Sequence, residues 1–190
     1  MSTASRTFRR GDRPTPRLTP GDAVAPRILT TITSERLRVP DPAALVHLQF
    51  RRFAGCPVCN LHLRSVARRH QEIRAAGIRE VAVFHSTAES MLPHQGDLPF
   101  PAVADPGKSL YAAFGVESSP RALLDPRAWP AFFRVAFTRM PSAPGPGGAL
   151  GLPADFLIGP DGLIREVKYG RRADDQWPVD ELLSLAARHR

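Results

Sequence analysis

Leu45-Val46-His47-Leu48-Gln49-Phe50-Arg51-Arg52-Phe53-Ala54-Gly55-Cys56-Pro57-Val58-Cys59 decides the fold. The run Leu45–Phe50 is apolar at nearly every position, which suits a strand buried centrally in a sheet. Ala54-Gly55-Cys56-Pro57 then reads as a turn into a helix. From Val58 to Ala76 the apolar Val58, Leu61, Val66, Ile73 and Ala76 interleave with Arg64, Arg68, Arg69, Glu72 and Arg74. That spacing predicts one amphipathic helix, with Gly77 as its stop.

Outward from this unit the chain alternates. Ile78–His85 predicts a buried strand through Val81-Ala82-Val83-Phe84. Ser86-Thr87-Ala88-Glu89 has capping-box spacing and opens a short helix. Phe100–Ala104 predicts another strand, and Asp105-Pro106 an N-cap with Pro at N1 for a helix reaching Phe114 and ending at Gly115. Asp125-Pro126 repeats the device before Ala128–Thr138, and residues 141–151 form a Pro/Gly-rich loop. Phe156–Ile158 and Leu163–Tyr169 flank Gly159-Pro160-Asp161-Gly162, a hairpin signal. A last helix is expected over Val179–Arg188. Upstream, Ile28–Ile32 and Leu37–Val39 predict a hairpin around Thr33-Ser34-Glu35-Arg36. The order argues for an α/β domain with a central mixed sheet flanked by helices, an N-terminal β-hairpin, and a helical and Pro/Gly insert before the last hairpin.

Composition narrows the classes. The chain has 190 residues and a formal charge of +8. Residues 1–40 hold eight arginines against three acids, so most of the excess lies at the start. Residues 1–17 lack any helical or strand period and read as a disordered basic tail, and residues 18–190 as one domain. A nucleic-acid-binding arm is the other reading of that tail, and it carries less weight because arginine is favoured over lysine along the whole chain. No apolar run approaches the ~20 residues of a membrane span. No secretory leader is expected either, which points to the cytoplasm.

Cysteine is scarce and informative. Cys56 and Cys59 are the only two, too few and too close to staple a secreted scaffold. At i and i+3, where a strand gives way to a helix, their sulfurs come within bonding distance. Cys56 at the N-cap would have its thiolate stabilised by free N–H groups and the positive helix end. Cys59, one turn in, is then the natural resolving thiol. Pro57 at N1 sacrifices an N–H that has no helical partner. A zinc reading of Cys56, Cys59 and His62 lacks a fourth ligand beyond His85, and no cofactor or metal is called for.

Phe50–Arg64, Gly159–Leu163 and the opening Pro20-Gly21-Asp22-Ala23-Val24-Ala25-Pro26 resemble the peroxiredoxin-like proteins of the alkyl hydroperoxide reductase/thiol-specific antioxidant group, in the thioredoxin superfamily. The resemblance spans about residues 18–188. It implies a thioredoxin-like fold, thiol-based antioxidant activity, and catalytic roles for Cys56 and Cys59. Two departures stand out. The family's Pro-x-x-x-Thr-x-x-Cys becomes Arg52 and Cys56 if Cys59 is the peroxidatic residue. It becomes Gln49 and Phe53 if Cys56 is. Where the family carries its catalytic Arg, before the late strand, this chain has Gly151-Leu152-Pro153-Ala154, which is similar to the thioredoxin cis-proline segment.

The supporting residues follow. Arg51 and Arg52 either favour a thiolate or are solvated loop cations. Arg121 is a distant candidate for the missing guanidinium. His85 ends a strand beside the one feeding Cys56 and is a candidate for proton transfer. His62 is either a neighbour of Cys59 or a surface residue. Trp129 and Trp177 are expected to pack. The expectation is a peroxide-reducing thiol oxidoreductase served by an external thioredoxin- or glutaredoxin-like dithiol. Nucleic acid and membrane are not expected partners, and a homodimer is compatible. The alternatives are a thioredoxin-like disulfide reductase, or a non-catalytic redox sensor whose tail engages nucleic acid.

Overall fold

The computed structural model describes residues 16–116 and 151–189. The sheet is mixed and five-stranded. Its members are β3 (Leu45–Arg51), β4 (Ile78–Phe84), β5 (Ala102–Ala104), β6 (Ala154–Ile158) and β7 (Ile164–Tyr169), in the order β5-β4-β3-β6-β7. β4 runs parallel to β3 and to β5, whereas β6 is antiparallel to β3 and to β7. β3 is therefore the middle strand, and every one of its residues is buried. A separate hairpin joins β1 (Arg27–Thr30) to β2 (Arg36–Val39). The expected α/β architecture and its central strand are as read from the apolar runs.

Helices cover both faces. Against one face pack α1 (Pro57–Arg68), α2 (His70–Ala75) and α5 (Val179–Ala187). Leu63, Val66, Ile73, Leu182 and Ala186 meet Ala82, Phe84 and Leu157 there. Between them in sequence lie α3 (Ala88–Gln95) and α4 (Ser109–Ala113). On the opposite face Val46, Leu48, Phe50, Val83 and Phe156 meet Tyr111 and Phe114. Phe50 has its ring 4.9 Å from Tyr111, 5.2 Å from Phe114 and 5.7 Å from Phe156. Each fully buried ring of this size stabilises by about 2–3 kcal/mol through lost apolar area.

Several boundaries differ from the sequence expectation. The single helix over 58–76 is two, because Arg69 leaves helical geometry at φ −107° and ψ 16°. The amphipathic period reads alike in one helix or two; the break turns Arg69 toward Glu72 (2.8 Å) and Asp180 (2.6 Å). Gly77 does stop the unit, at φ +71°, where a Cβ is strained. Thr87, not Ser86, caps α3 by accepting the Ser90 N–H. Asp105 does not sit at an N-cap with Pro106 inside a helix. Residues 105–108 form a turn, and the Asp105 carboxylate accepts the N–H groups of Ser109 and Leu110 ahead of α4. Leu152–Pro153 is trans, the intrinsic preference of X-Pro bonds; the cis bond among the described residues is Val39–Pro40.

Arg17 already lies over the Tyr169 ring at 4.8 Å. The expected tail before residue 16, Arg121, Trp129, the helix over Ala128–Thr138 and the Pro/Gly loop through residue 150 lie outside the described residues. Among the described residues no helix is long and apolar enough to cross a membrane.

Candidate active site

The cysteines sit where β3 hands over to α1. Ala54 anchors the turn between them: its N–H donates to Ser86 Oγ (3.0 Å), and its carbonyl accepts from Asn60 Nδ2 (3.1 Å) and Gln95 Nε2 (2.8 Å). The Cys56 N–H closes the turn onto the Phe53 carbonyl at 3.0 Å. Cys56 is the N-cap of α1 and Pro57 is its first residue, so the Cys56 side chain stands at the N-terminal end of the helix. Both cysteines are free thiols and buried.

Their acidities are pushed apart. The Cys59 thiol donates to Cys56 and, together with the Arg52 charge and the N–H groups of Cys59 and Val58, pulls Cys56 down to about 6 against the opposing effect of burial. Cys59 is driven well above the usual thiol range by that same shared proton and by its own burial. At neutral pH the pair therefore holds a Cys56 thiolate and a Cys59 thiol. Arg52 Nη1 lies 3.9 Å from Cys56 Sγ, and its guanidinium covers the Phe53 ring at 5.6 Å.

Neither arginine is a solvated cation. Arg52 is 5% exposed and Arg51 is fully buried. Adjacent on a strand end, they leave it on opposite sides. Arg51 turns beneath α1, where Nη2 donates to Asp155 Oδ1 and Gln49 Oε1, both at 2.6 Å. The same nitrogen lies 3.3 Å from His62 Nε2. Burial and the Arg51 charge hold His62 near 3, hence neutral. His62 is half-buried, with its ring turned toward Arg51.

The chain of polar groups continues below. His47 lies between Asp155 Oδ1 (3.2 Å) and Glu80 Oε2 (2.8 Å), all three fully or almost fully buried. Burial opposes the imidazolium, but Glu80 and Asp155 outweigh it and raise His47 to about 9. Asp155 feels burial in the opposite sense, yet Arg51 and His47 hold it well below the usual carboxylate range. Gln49 Nε2 also donates to Glu80, and the Trp177 N–H donates to Asp155 Oδ2 at 3.2 Å. Sequence reading missed His47, Gln49, Glu80 and Asp155. The available signal was the alternation of His47, Gln49 and Arg51 along a strand otherwise read as apolar.

His85 is 1% exposed at the end of β4, and neither ring nitrogen has a hydrogen-bond partner among the described residues. Burial and the Lys108 charge lower it to about 4, so it is a neutral imidazole. A Cβ on Gly151 would stand 2.9 Å from His85 Nε2 and 3.8 Å from the Arg52 stem, which places His85 beside Arg52. Pro153 precedes β6, and its carbonyl accepts the Gly170 N–H at 2.9 Å. The structure thus gathers Cys56, Cys59, Arg51, Arg52, Pro57 and His85 at one sheet edge.

The AhpC/TSA family profile matches residues 26–167, three-quarters of the sequence. Among solved structures, peroxidoxin BcpB from Mycobacterium tuberculosis superposes with a TM-score of 0.68 at 16% identity, over 92% of this chain and 99% of that one. A cysteine-to-serine mutant of peroxiredoxin 6 from Arenicola marina gives 0.68 at 15%, over 90% and 72%. Mycobacterium tuberculosis AhpC gives 0.64 at 15%, over 90% and 93%. No curated protein matches the sequence. The chain belongs to the AhpC/TSA family, with a thioredoxin-like fold. It is a peroxiredoxin-like, thiol-dependent oxidoreductase that reduces peroxides and draws its electrons from a reductant partner.

Proposed function

We propose that Cys56 is the attacking sulfur and Cys59 the resolving one. The observation that carries this is the sharing of one proton between them, with Cys56 at the helix N-terminus beside Arg52. The Cys56 thiolate attacks the terminal oxygen of a peroxide. The O–O bond breaks, Cys56 becomes a sulfenic acid, and the departing alkoxide takes a proton to leave as alcohol or water. Cys59 then attacks the Cys56 sulfur. The S–O bond breaks, the Cys59 proton leaves with the hydroxide as water, and a Cys56–Cys59 disulfide forms. An external dithiol of thioredoxin or glutaredoxin type returns two electrons and two protons.

In this reading Arg52 stabilises the thiolate and the charge developing on the peroxide. Neutral His85 offers a ring N–H to the departing oxygen, and Pro57 keeps the first turn of α1 open toward Cys56. Arg121 and Pro153 are retained as supporting residues, the first as a second guanidinium and the second as part of the rim. Free thiols suit the reducing cytoplasm, and a homodimer is compatible with the exposed Leu61 on α1.

The same pair supports a second reading, disulfide reduction, because the helix N-terminus and Cys-x-x-Cys spacing serve thiol–disulfide exchange equally well. Peroxide consumption with a dithiol donor, abolished in Cys56→Ser, supports the first reading. Reduction of insulin disulfides without peroxide turnover overturns it in favour of the second.

A further inference from the structure

Ala54 stands two residues before Cys56, in the turn between β3 and α1, and its backbone belongs to no strand or helix. Three side chains from separate parts of the chain satisfy it. Ser86, just past β4, accepts its N–H at 3.0 Å. Asn60 on α1 and Gln95 on α3 both donate to its carbonyl, at 3.1 and 2.8 Å. Gln95 Nε2 also donates to Asn60 Oδ1 at 2.8 Å. The bond from Asn60 to Ala54 thus brackets the segment that holds both cysteines, and Gln95 ties the two ends of the bracket together. Turning either amide over would set an oxygen against the Ala54 carbonyl, so both orientations are fixed. All three side chains are buried. Gln95 Oε1 has no hydrogen-bond partner among the described residues. An unpaired buried acceptor opposes folding, so the Gln95 amide commits both its donors to this turn at the expense of its own oxygen.

We propose that Ser86, Asn60 and Gln95 are positioning residues that brace Ala54 and thereby favour the Cys56–Cys59 disulfide, lowering the redox potential of the pair. This rests on the reading that the two cysteines close a disulfide, and it holds whichever sulfur attacks first. A disulfide accepts a narrow range of separation and torsion, so its stability depends on how often the two thiols meet in that geometry. Cys59 lies inside α1 and is fixed by the helix. Cys56 is the N-cap, and its N–H donates to the Phe53 carbonyl at 3.0 Å, so its place is set by the turn before it. A loosened turn lets Cys56 leave Cys59 and lowers the effective concentration of one thiol at the other. Among the described residues no hydrogen bond joins the Ser86, Asn60 or Gln95 side chain to either sulfur; all three act through the backbone of Ala54.

The brace is read as an equilibrium, without peroxide. The full-length protein is held free of oxygen in buffers of reduced and oxidised glutathione. Acid quenching, alkylation and mass spectrometry then count dithiol and disulfide protein. In the exchange two electrons and two protons pass from the cysteine thiols to glutathione disulfide, whose S–S bond breaks to give two glutathione thiols as the Cys56–Cys59 bond forms. Gln95→Met keeps the reach of the side chain but has no donor. Its equilibrium constant for disulfide formation is expected to fall about tenfold, a potential raised by about 30 mV. Asn60→Leu is expected to fall by a similar factor. Ser86→Ala, which removes one hydrogen bond, is expected to fall about threefold. The acidity of Cys56, followed by thiolate absorbance, is expected to stay that of the parent. Leu48→Ala, which weakens the other side of β3, is expected to leave the constant unchanged.

If Gln95→Met and Asn60→Leu do not fold, Ser86→Ala carries the test, because it removes a single oxygen. Constants equal to the parent's or raised above it overturn the brace while leaving the disulfide reading intact. A constant lowered as much in Leu48→Ala overturns it too, since any loss of stability would then suffice. So does a shift that follows a changed Cys56 acidity, which would be electrostatic in origin. A parent protein that forms no Cys56–Cys59 disulfide in any buffer overturns the disulfide reading itself, and the brace with it.

Discussion

Val46, Leu48 and Phe50 point to one side of β3, and His47, Gln49 and Arg51 point to the other. The first side is closed by aromatic rings from Tyr111, Phe114 and Phe156. The second is closed by a chain of charges under the helix that carries the cysteines. Both sides are equally dry, since every β3 residue is buried. Their energetics differ in kind. The apolar side gains from each ring removed from water. The charged side gains little net, because desolvation offsets the attraction between its ions. One strand thus provides stability on one side and, on the other, holds a guanidinium beneath the helix that carries the cysteines.

The sharpest way to break the comparison is to uncouple charges on the polar side. Asp155→Leu leaves Arg51 and His47 buried without their shared carboxylate and is expected to cost about 3–5 kcal/mol in urea unfolding. On the apolar side Leu48→Ala is expected to cost about 3 kcal/mol through transfer and cavity effects, with the reactivity of the cysteines kept. If Asp155→Leu is as stable as the parent, the charges are not the coupled network described here.

pH separates the sides next. His47 is raised from 6.5 to about 9 in the folded protein. A group with a raised folded pKa contributes stability fully present below 6.5 and lost as pH rises through about 9. On the order of 3 kcal/mol should therefore disappear between neutral pH and pH ~10. Unfolding a Cys56→Ser, Cys59→Ser variant at the two pH values checks this without thiol titration. His47→Leu in that background should flatten the loss, whereas Leu48→Ala should not.

The smallest effect is expected beside Arg52. Gly151→Ala places a methyl 2.9 Å from His85 Nε2 and should cost about 1–2 kcal/mol through overpacking. Thermal unfolding of this variant, with no loss if His85 can move aside, measures how firmly that imidazole is held.

Most of the sheet was legible before any coordinates. Apolar runs at Val81–Phe84 and Phe156–Ile158 mark strands because burial on both faces removes alternation, whereas in Leu45–Phe50 the polar His47 and Gln49 still alternate with Val46, Leu48 and Phe50. The hairpin at Gly159–Gly162 was marked by turn chemistry. The break at Arg69 was not legible, because amphipathic spacing survives it. Cys56, Cys59, Pro57 and Arg52 were readable from local position alone. His47, Glu80 and Asp155 were not, because each is an ordinary polar residue until three strands bring them together across 33 and 108 positions of sequence. Spacing along a chain reports a helix turn; it does not report strand register.

The assignment of the two sulfurs is tested most directly by trapping the sulfenic acid. Each single variant, Cys56→Ser and Cys59→Ser, is exposed to stoichiometric peroxide at neutral pH and analysed by mass spectrometry with a sulfenate-specific adduct. The expected result is a sulfenic acid on Cys56 in Cys59→Ser, and little or none on Cys59 in Cys56→Ser. Preferential oxidation of Cys59 in Cys56→Ser would contradict the assignment, as would thiols that stay reduced in the parent protein under excess peroxide.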